Sequence, residues 1–278
     1  MEIFVINLDK DTERLAAVNR QLCRLGIHYE KFSAINAKEI ESTRLLKNVN
    51  RFRWWCAVGR PVRIGEIGCA MSHYAIYKKM QQDDLKVVCV LEDDVIIDGR
   101  FKTVLEFAER IIDANKPQVF LLSNHTGVVG NDKDCHIVAC KKDMYTEGYA
   151  ITAPAAKALL KANFPLQTPC DWWGRWVKRG LIEVYHVFPT VCSQNQDQYE
   201  SGTVDVNSFN VKNLTMSRFV LHKCLRLVGK ILDEMMNVFG MSRKLLRQGN
   251  RESISLLQIC KRRHGGNDIA DASSTDYR

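Results

Sequence analysis

Residues 86–98 read Lys-Val-Val-Cys-Val-Leu-Glu-Asp-Asp-Val-Ile-Ile-Asp. The five apolar residues 87–91 lack the polar alternation of a half-exposed strand. They predict a strand buried on both faces, as in a parallel sheet. Glu92, Asp93 and Asp94 follow at once. Three adjoining carboxylates repel one another, and at the end of a buried strand they call for a compensating cation. In open α/β sheets ligands bind beyond the carboxyl ends of the strands, and this is such an end. Oxygen-only ligands select hard cations, so Mn²⁺ or Mg²⁺ is the expected cofactor, held by the carboxylates of Glu92, Asp93 and Asp94. A solvated acidic turn is the plainer alternative, and the buried run directly before the triplet weighs against it.

The surrounding chain alternates in the same sense. Residues 2–6 (Glu-Ile-Phe-Val-Ile) form a β-rich run ending in Asn7-Leu8-Asp9. A helix follows, capped by Asp9 or Asp11, with Leu15, Val18, Leu22 and Leu25 as its apolar stripe and Gly26 as its stop. Strand, loop and helix of this size read as the opening of a nucleotide-binding α/β fold. Further strands are predicted at 118–122, at 136–140 and near 182–188. Helices are predicted from Gly65 and at 101–114, 154–162 and 171–179. Residues 37–63 mix charge with Trp54 and Trp55 and read as an irregular excursion.

With 278 residues, 46% hydrophobic and 26% charged, the chain has the composition of a globular protein and not of a disordered one. No apolar stretch reaches the length of a transmembrane span. The start, Met1 to Asp9, lacks a basic segment and a small-residue cleavage site, so no signal peptide is expected. Ten cysteines are scattered without a C-x-x-C pair. That argues against a zinc site and a disulfide scaffold, and for a reducing, cytoplasmic compartment.

The net charge of +8 is confined to one region, because residues 218–263 hold eleven Lys/Arg against three acids. Within it, from Phe219 to Phe239, the polar positions His222, Arg226, Lys230, Asp233 and Asn237 recur every three or four residues and predict an amphipathic helix. We read 216–263 as a basic helical appendage seated on an anionic membrane surface, the inner face of the cell membrane. Packing against the remaining chain is the alternative. No nucleic-acid motif accompanies the charge, so nucleic acid is not an expected partner. Residues 264–278 are polar and read as a disordered tail.

Two further stretches carry candidate ligand groups. Asn7-Leu8-Asp9 with Arg14 in the first turn of the next helix would offer a helix N-terminus and a guanidinium to a diphosphate, a solvated Arg14 being the alternative. In Gly65-Glu66-Ile67-Gly68, small residues let backbone approach a ligand, and Ser72 and His73 can offer hydrogen bonds; a structural role is the commoner one for a lone His on a helix.

Taken in order, Val5-Ile6-Asn7-Leu8-Asp9 with Arg14, Phe32-Ser33-Ala34-Ile35-Asn36, Gly65-Glu66-Ile67-Gly68-Cys69 with Ser72-His73, and Leu91-Glu92-Asp93-Asp94-Val95 resemble glycosyltransferase family 25, the lipopolysaccharide galactosyl- and glucosyltransferases. The resemblance covers about residues 2–200. It implies a GT-A type, Rossmann-like nucleotide-sugar fold over 1–215, with a donor half to about residue 125 and an acceptor half from about 126. It implies inverting transfer of galactose or glucose from a UDP-sugar to a saccharide or glycolipid acceptor of lipopolysaccharide or lipo-oligosaccharide. Asn7, Leu8, Ala34 and Asn36 would line the uridine pocket, with Arg14 at the diphosphate and Gly68, Ser72 and His73 near it. Glu92 and Asp93 would face ribose or metal, and Asp94 would be the direct metal ligand; Gln194, in the segment 194–197 expected to close the site, is a further candidate ligand. The motif reads Glu-Asp-Asp and not Asp-x-Asp, which leaves the order of the carboxylates open.

Inverting transfer needs a base on the face opposite the leaving group. Asp171, in Pro169-Cys170-Asp171-Trp172-Trp173, is the candidate, beside aromatics that can stack on a sugar; an N-cap role is its alternative. Glu147-Gly148-Tyr149 is expected near the donor sugar. A sugar-nucleotide-binding protein without transfer activity, or a metal-dependent phospho- or nucleotidyltransferase, would use the same carboxylates. The triplet together with Asp171 favours the glycosyltransferase.

Overall fold

The computed structural model describes residues 1–123, 129–130, 133–140, 145–195, 224, 227–229 and 231. Its centre is a seven-stranded sheet. β1 (Glu2–Asn7), β2 (Glu30–Ser33), β3 (Val87–Glu92), β5 (Gln118–Leu121), β6 (His136–Ala139), β7 (Gly148–Thr152) and β8 (Glu183–Phe188) lie in the order β2-β1-β3-β7-β5-β8-β6. Strand β1 pairs in parallel with β2 and β3, and β5 in parallel with β8. Strand β7 runs antiparallel between β3 and β5, and β6 antiparallel against β8. The result is a mixed, mostly parallel α/β sheet with helices on both faces.

Alternation along the central strands sorts side chains to two cores. Ile3, Val5, Cys89 and Leu91 face one side, where α1 (Thr12–Arg24) and α5 (Phe101–Ile111) deliver Val18, Leu22, Phe101, Val104 and Ala108. Phe4, Ile6, Val88 and Val90 face the other. There α4 (Ile64–Gln82), α6 (Ala153–Ala162) and α7 (Trp173–Lys178) supply Ile67, Met71, Tyr77, Leu159, Trp173 and Trp176. Helix α4 is buried around most of its circumference from Ile67 to Tyr77, so it reads as a core helix and carries little amphipathic pattern.

Several expectations need correction. Residues 37–63 are not irregular: a 3₁₀ turn at Ala37–Glu39, α2 (Ser42–Leu46) and α3 (Arg51–Val58) occupy them, with Leu45, Trp54 and Cys56 buried. Each helix is too short for periodicity to declare itself. Strand β3 is parallel only toward β1, since β7 lies against its other edge in the reverse direction. Strands β2 and β7 were not predicted. Neither was the ribbon of β4 (Val95–Ile97) with β9 (Cys192–Gln194), which sets Gln194 opposite Val95. Asp11 stands at the N-cap of α1 without a side-chain cap bond, while Gly26 ends that helix at φ 65° as expected. Of the basic segment, Cys224, Leu227, Val228, Gly229 and Ile231 are described and helical; the rest of 216–263, and 264–278, lie outside the described residues.

Strand β7 is seated by a missing side chain. A Cβ on Gly148 would meet Cys192 Sγ at 2.6 Å and Leu91 Cδ2 at 3.1 Å. Gly148→Ala should therefore cost about 1–3 kcal/mol by overpacking. Denaturant unfolding should show this loss, and Cys192→Ala in the same chain should recover part of it; an unchanged midpoint in the single variant would refute the contact.

Candidate functional site

The reversal of β7 decides what meets at the carboxyl edge of the sheet. β1, β2 and β3 end there, and β7 begins there, so Thr146 and Glu147 arrive beside Glu92. The Glu92 amide donates to the Glu147 carbonyl at 3.0 Å. A cavity of about 540 Å³ opens at this edge. Asn7, Leu8 and Arg14 line it after β1, Ala34 to Lys38 after β2, and Glu92, Asp93 and Asp94 after β3; Gly68, Cys69, Ser72 and His73 of α4 form a wall, and Gln194 closes one side.

The three carboxylates do not converge; each is drawn to a different element. Glu92 bonds His73 Nε2 at 3.2 Å and accepts from the Thr146 hydroxyl. Asp93 accepts from Asn7 Nδ2 at 2.8 Å and from Arg14 at 3.2 Å. Asp94 accepts from Gln194 Nε2 at 3.1 Å through one oxygen, while its Oδ1 is buried with no hydrogen-bond partner among the described residues. Asn7 Oδ1 is likewise buried and unpartnered among them.

The proton affinities follow from these surroundings. Burial would raise Glu92, but the hydrogen bond and charge of His73 outweigh it and hold the carboxyl below its ordinary value. Burial would lower His73, yet hydrogen bonds to Cys69 and Glu92 push it up to about 10. Asp94 is pushed up to about 6 by burial and then by the charge of Glu92. Burial also raises Asp93, against the pull of Asn7 and Arg14.

Other predicted residues have internal duties. A Cβ at Gly68 would lie 2.8 Å from the Ile35 carbonyl, so the close approach this glycine permits is that of the 34–37 loop and not of a ligand. Ser72 Oγ donates to the Gly68 carbonyl at 2.7 Å and accepts from the Ile35 amide at 2.8 Å, clamping that loop to α4. Asn36 accepts from the Lys38 amide and caps the 3₁₀ turn. Its neighbours Ala34 and Leu8 present no polar side chain, so they shape the cavity wall.

Asp171 is outside the cavity lining and precedes α7, whose N-cap position is Trp172; its Oδ2 accepts from the Tyr145 amide at 3.3 Å. Burial pushes it up to about 6, and the charge of Glu92 adds to this. Trp173, expected as a sugar platform, is fully buried: its Nε1 donates to the Tyr145 carbonyl and its ring packs on Tyr149. Sequence reading missed Thr146 and the contact of Cys69 with Cys170, whose Sγ atoms stand 3.8 Å apart. The separation of 101 positions between the two cysteines hides it.

A family model described as Glycosyltransferase family 25 (LPS biosynthesis protein) matches residues 1–173. A glycosyltransferase 25 family member of Drosophila melanogaster is 38% identical over 173 residues, covering 58% of this chain and 28% of the fly protein. A protein of the same description from Anopheles gambiae is 30% identical over 171 residues, covering 57% and 28%. Human procollagen galactosyltransferase 2 is 25% identical over 224 residues, covering 77% of this chain and 34% of its own length. The chain thus spans only about a third, or less, of these relatives. Every cavity residue except Gln194 falls within the matched region.

Glu147 provides a test of the electrostatics. It accepts from Ser123 Oγ at 2.9 Å, and burial, then the charges of Glu92 and Asp94, push its carboxyl from 4.5 up to about 7. A carboxyl raised on folding binds more protons in the native state, so stability is greatest below the unfolded value and falls as pH rises through the folded one. Between about pH 5 and pH 7.5 the wild type should lose stability relative to Glu147→Gln, measured by denaturant unfolding. Parallel pH profiles would contradict the assignment.

Proposed function

Because the chain belongs to glycosyltransferase family 25, we propose that it is an inverting, metal-dependent hexosyltransferase of GT-A type that consumes a UDP-sugar, galactose in preference to glucose. The observation that carries this reading is the buried, unpartnered Oδ1 of Asp94 at the foot of the cavity. An anionic oxygen without a donor in a desolvated corner, with its carboxyl raised to about 6, is a site suited to a cation. Asp94 and the Gln194 side chain, joined edge to edge, would hold it; Glu92 is engaged with His73 and Thr146 and would act behind them. Bound there, Mn²⁺ or Mg²⁺ would neutralise charge growing on the departing UDP.

The chain's own groups would do the rest. Arg14, already held by Asp93 on the cavity wall, would meet the diphosphate at the start of α1. Asn7 Oδ1 can accept the imide N–H of a uracil, between walls formed by Leu8, Ala34 and Asn36. Asp171 would take the acceptor hydroxyl's proton, and a carboxyl near 6 suits a base at neutral pH. The name of the human relative supports galactose. The family description names lipopolysaccharide and the relative names procollagen, so an acceptor panel should contain both a lipo-oligosaccharide core and a procollagen peptide. The basic segment 216–263 would seat the enzyme on the anionic cytoplasmic face of a membrane.

UDP release from a panel of UDP-sugars, with Mn²⁺ and with EDTA, tests the reading. One donor should be turned over only with metal, and Asp94→Ala should abolish that turnover. Asp171→Asn should lower kcat by about 10²- to 10⁴-fold with donor KM little changed. UDP binding without consumption of any donor would leave a sugar-nucleotide-binding protein, and release of UMP would make the enzyme a nucleotidyltransferase.

A further inference from the structure

We propose that Cys69, His73 and Cys170 form a thiolate-rich binding site for a zinc-type divalent cation, separate from the hard-cation position at Asp94. One donor atom from each of the three lies within 4.8 Å of the other two. Cys69 and His73 stand four residues apart on α4 and so share one face of that helix. Cys170 comes from the loop before α7. The Asn163 side chain fixes the approach of that loop, its Oδ1 accepting from the Gln167 and Thr168 amides at 3.0 and 3.1 Å.

The spacing suits the ion. Zinc–sulfur bonds of about 2.3 Å place two sulfurs of a tetrahedron about 3.8 Å apart, and Cys69 Sγ and Cys170 Sγ are 3.8 Å apart. His73 completes the triangle with its ring already oriented. Nδ1 contacts the Tyr149 hydroxyl at 2.7 Å, which in turn meets Tyr77 at 2.9 Å, so Nε2 is left on the side of Cys69 and Glu92. A polar partner on the far nitrogen is the usual outer support of a metal-binding imidazole. The fourth position is met by Glu92 Oε1, 3.2 Å from Nε2, or by water from the cavity, which Cys69 and His73 both line.

Ligand softness separates this site from the carboxylate corner. Two sulfurs and an imidazole favour Zn²⁺, whereas the oxygens of Asp94 and Gln194 favour Mg²⁺ or Mn²⁺. Entry of the ion releases the two thiol protons, together with the Nε2 proton that bonds Glu92. Occupancy would fasten Cys170, and with it Asp171, to α4, and would replace the direct hydrogen bond between His73 and Glu92. The absence of any C-x-x-C pair does not bear on such a site, because the fold assembles it from distant segments.

Cobalt titration of the reduced, full-length protein tests the proposal, with Zn²⁺ displacement giving the affinity. One equivalent of Co²⁺ per chain should produce thiolate-to-metal charge-transfer absorption and tetrahedral ligand-field bands, and Zn²⁺ should remove them. Cys69→Ser and Cys170→Ser should each abolish the bands, and Tyr149→Phe should weaken Zn²⁺ binding by about 10- to 100-fold. Asp94→Ala and Cys23→Ser should keep both bands and affinity, which makes the result independent of the transferase reading. Circular dichroism identifies any variant that fails to fold, and Cys69→Ala then replaces it. Absent bands in the folded wild type, or bands that persist in a folded Cys69→Ser, Cys170→Ser double variant, would overturn the proposal.

Discussion

The contact between His73 and Glu92 governs the electrostatics of the whole sheet edge. An imidazole buried in α4 would ordinarily be neutral, and a carboxyl buried at the end of β3 would ordinarily be protonated. Set 3.2 Å apart, with Cys69 also bonded to the imidazole, each helps to sustain the charge of the other. Breaking such a pair from either side strands an uncompensated charge, which is why its cost is large even where its net stabilisation is small. The retained charge of Glu92 is then among the causes that raise Asp94, Glu147 and Asp171. Burial is the larger cause in each, and the charge kept on Glu92 adds to it.

This arrangement depends on how α4 and β7 are placed against each other, and several contacts fix that placement. The tyrosine chain from His73 through Tyr149 to Tyr77 crosses from β7 back to α4, so helix and strand position each other. Gly68 and Ser72 clamp the 34–37 loop to the same helix face, and Gly148 lets Cys192 close over β7. A site built from side chains on packed elements keeps its geometry better than one carried on loops.

The parts legible in the sequence were those with a local signature. The apolar run 87–91 disclosed β3 and the strand end that bears the acidic triplet; Leu15, Val18 and Leu22 disclosed α1, and Gly26 its end. The order of Asn7, Arg14, the glycines of α4 and Glu92 to Asp94 indicated which segments share a site, and all of them line one cavity. What stayed hidden is nonlocal. Nothing in Gly148 to Thr152 announces a central strand, because its reversal is decided by pairing with β3 and β5. Ser72 looks like a ligand-binding hydroxyl in sequence, yet its hydrogen bonds are consumed by Gly68 and Ile35. Trp173 looks like a sugar platform and is buried, since Tyr145 and Tyr149 receive it. The helices between 37 and 58 are too short to show a period, and they gain order from tertiary contact.

Sequence adjacency also misleads about what three carboxylates can do together. Successive residues at a strand end point in different directions, so Glu92, Asp93 and Asp94 cannot all reach one ion without leaving the partners they have. The structure divides them: Glu92 holds a charge within the core wall, Asp93 holds Arg14 in place, and Asp94 keeps one oxygen without a donor. Burial and the charge of Glu92 raise Asp94 and Glu147 together, so this corner binds protons more readily than free carboxyls do. A cation held at Asp94, as proposed, would offset the part of that rise that comes from like charge, and its binding would compete with protons there. Its affinity would then depend on Glu92 remaining ionised, and through it on His73.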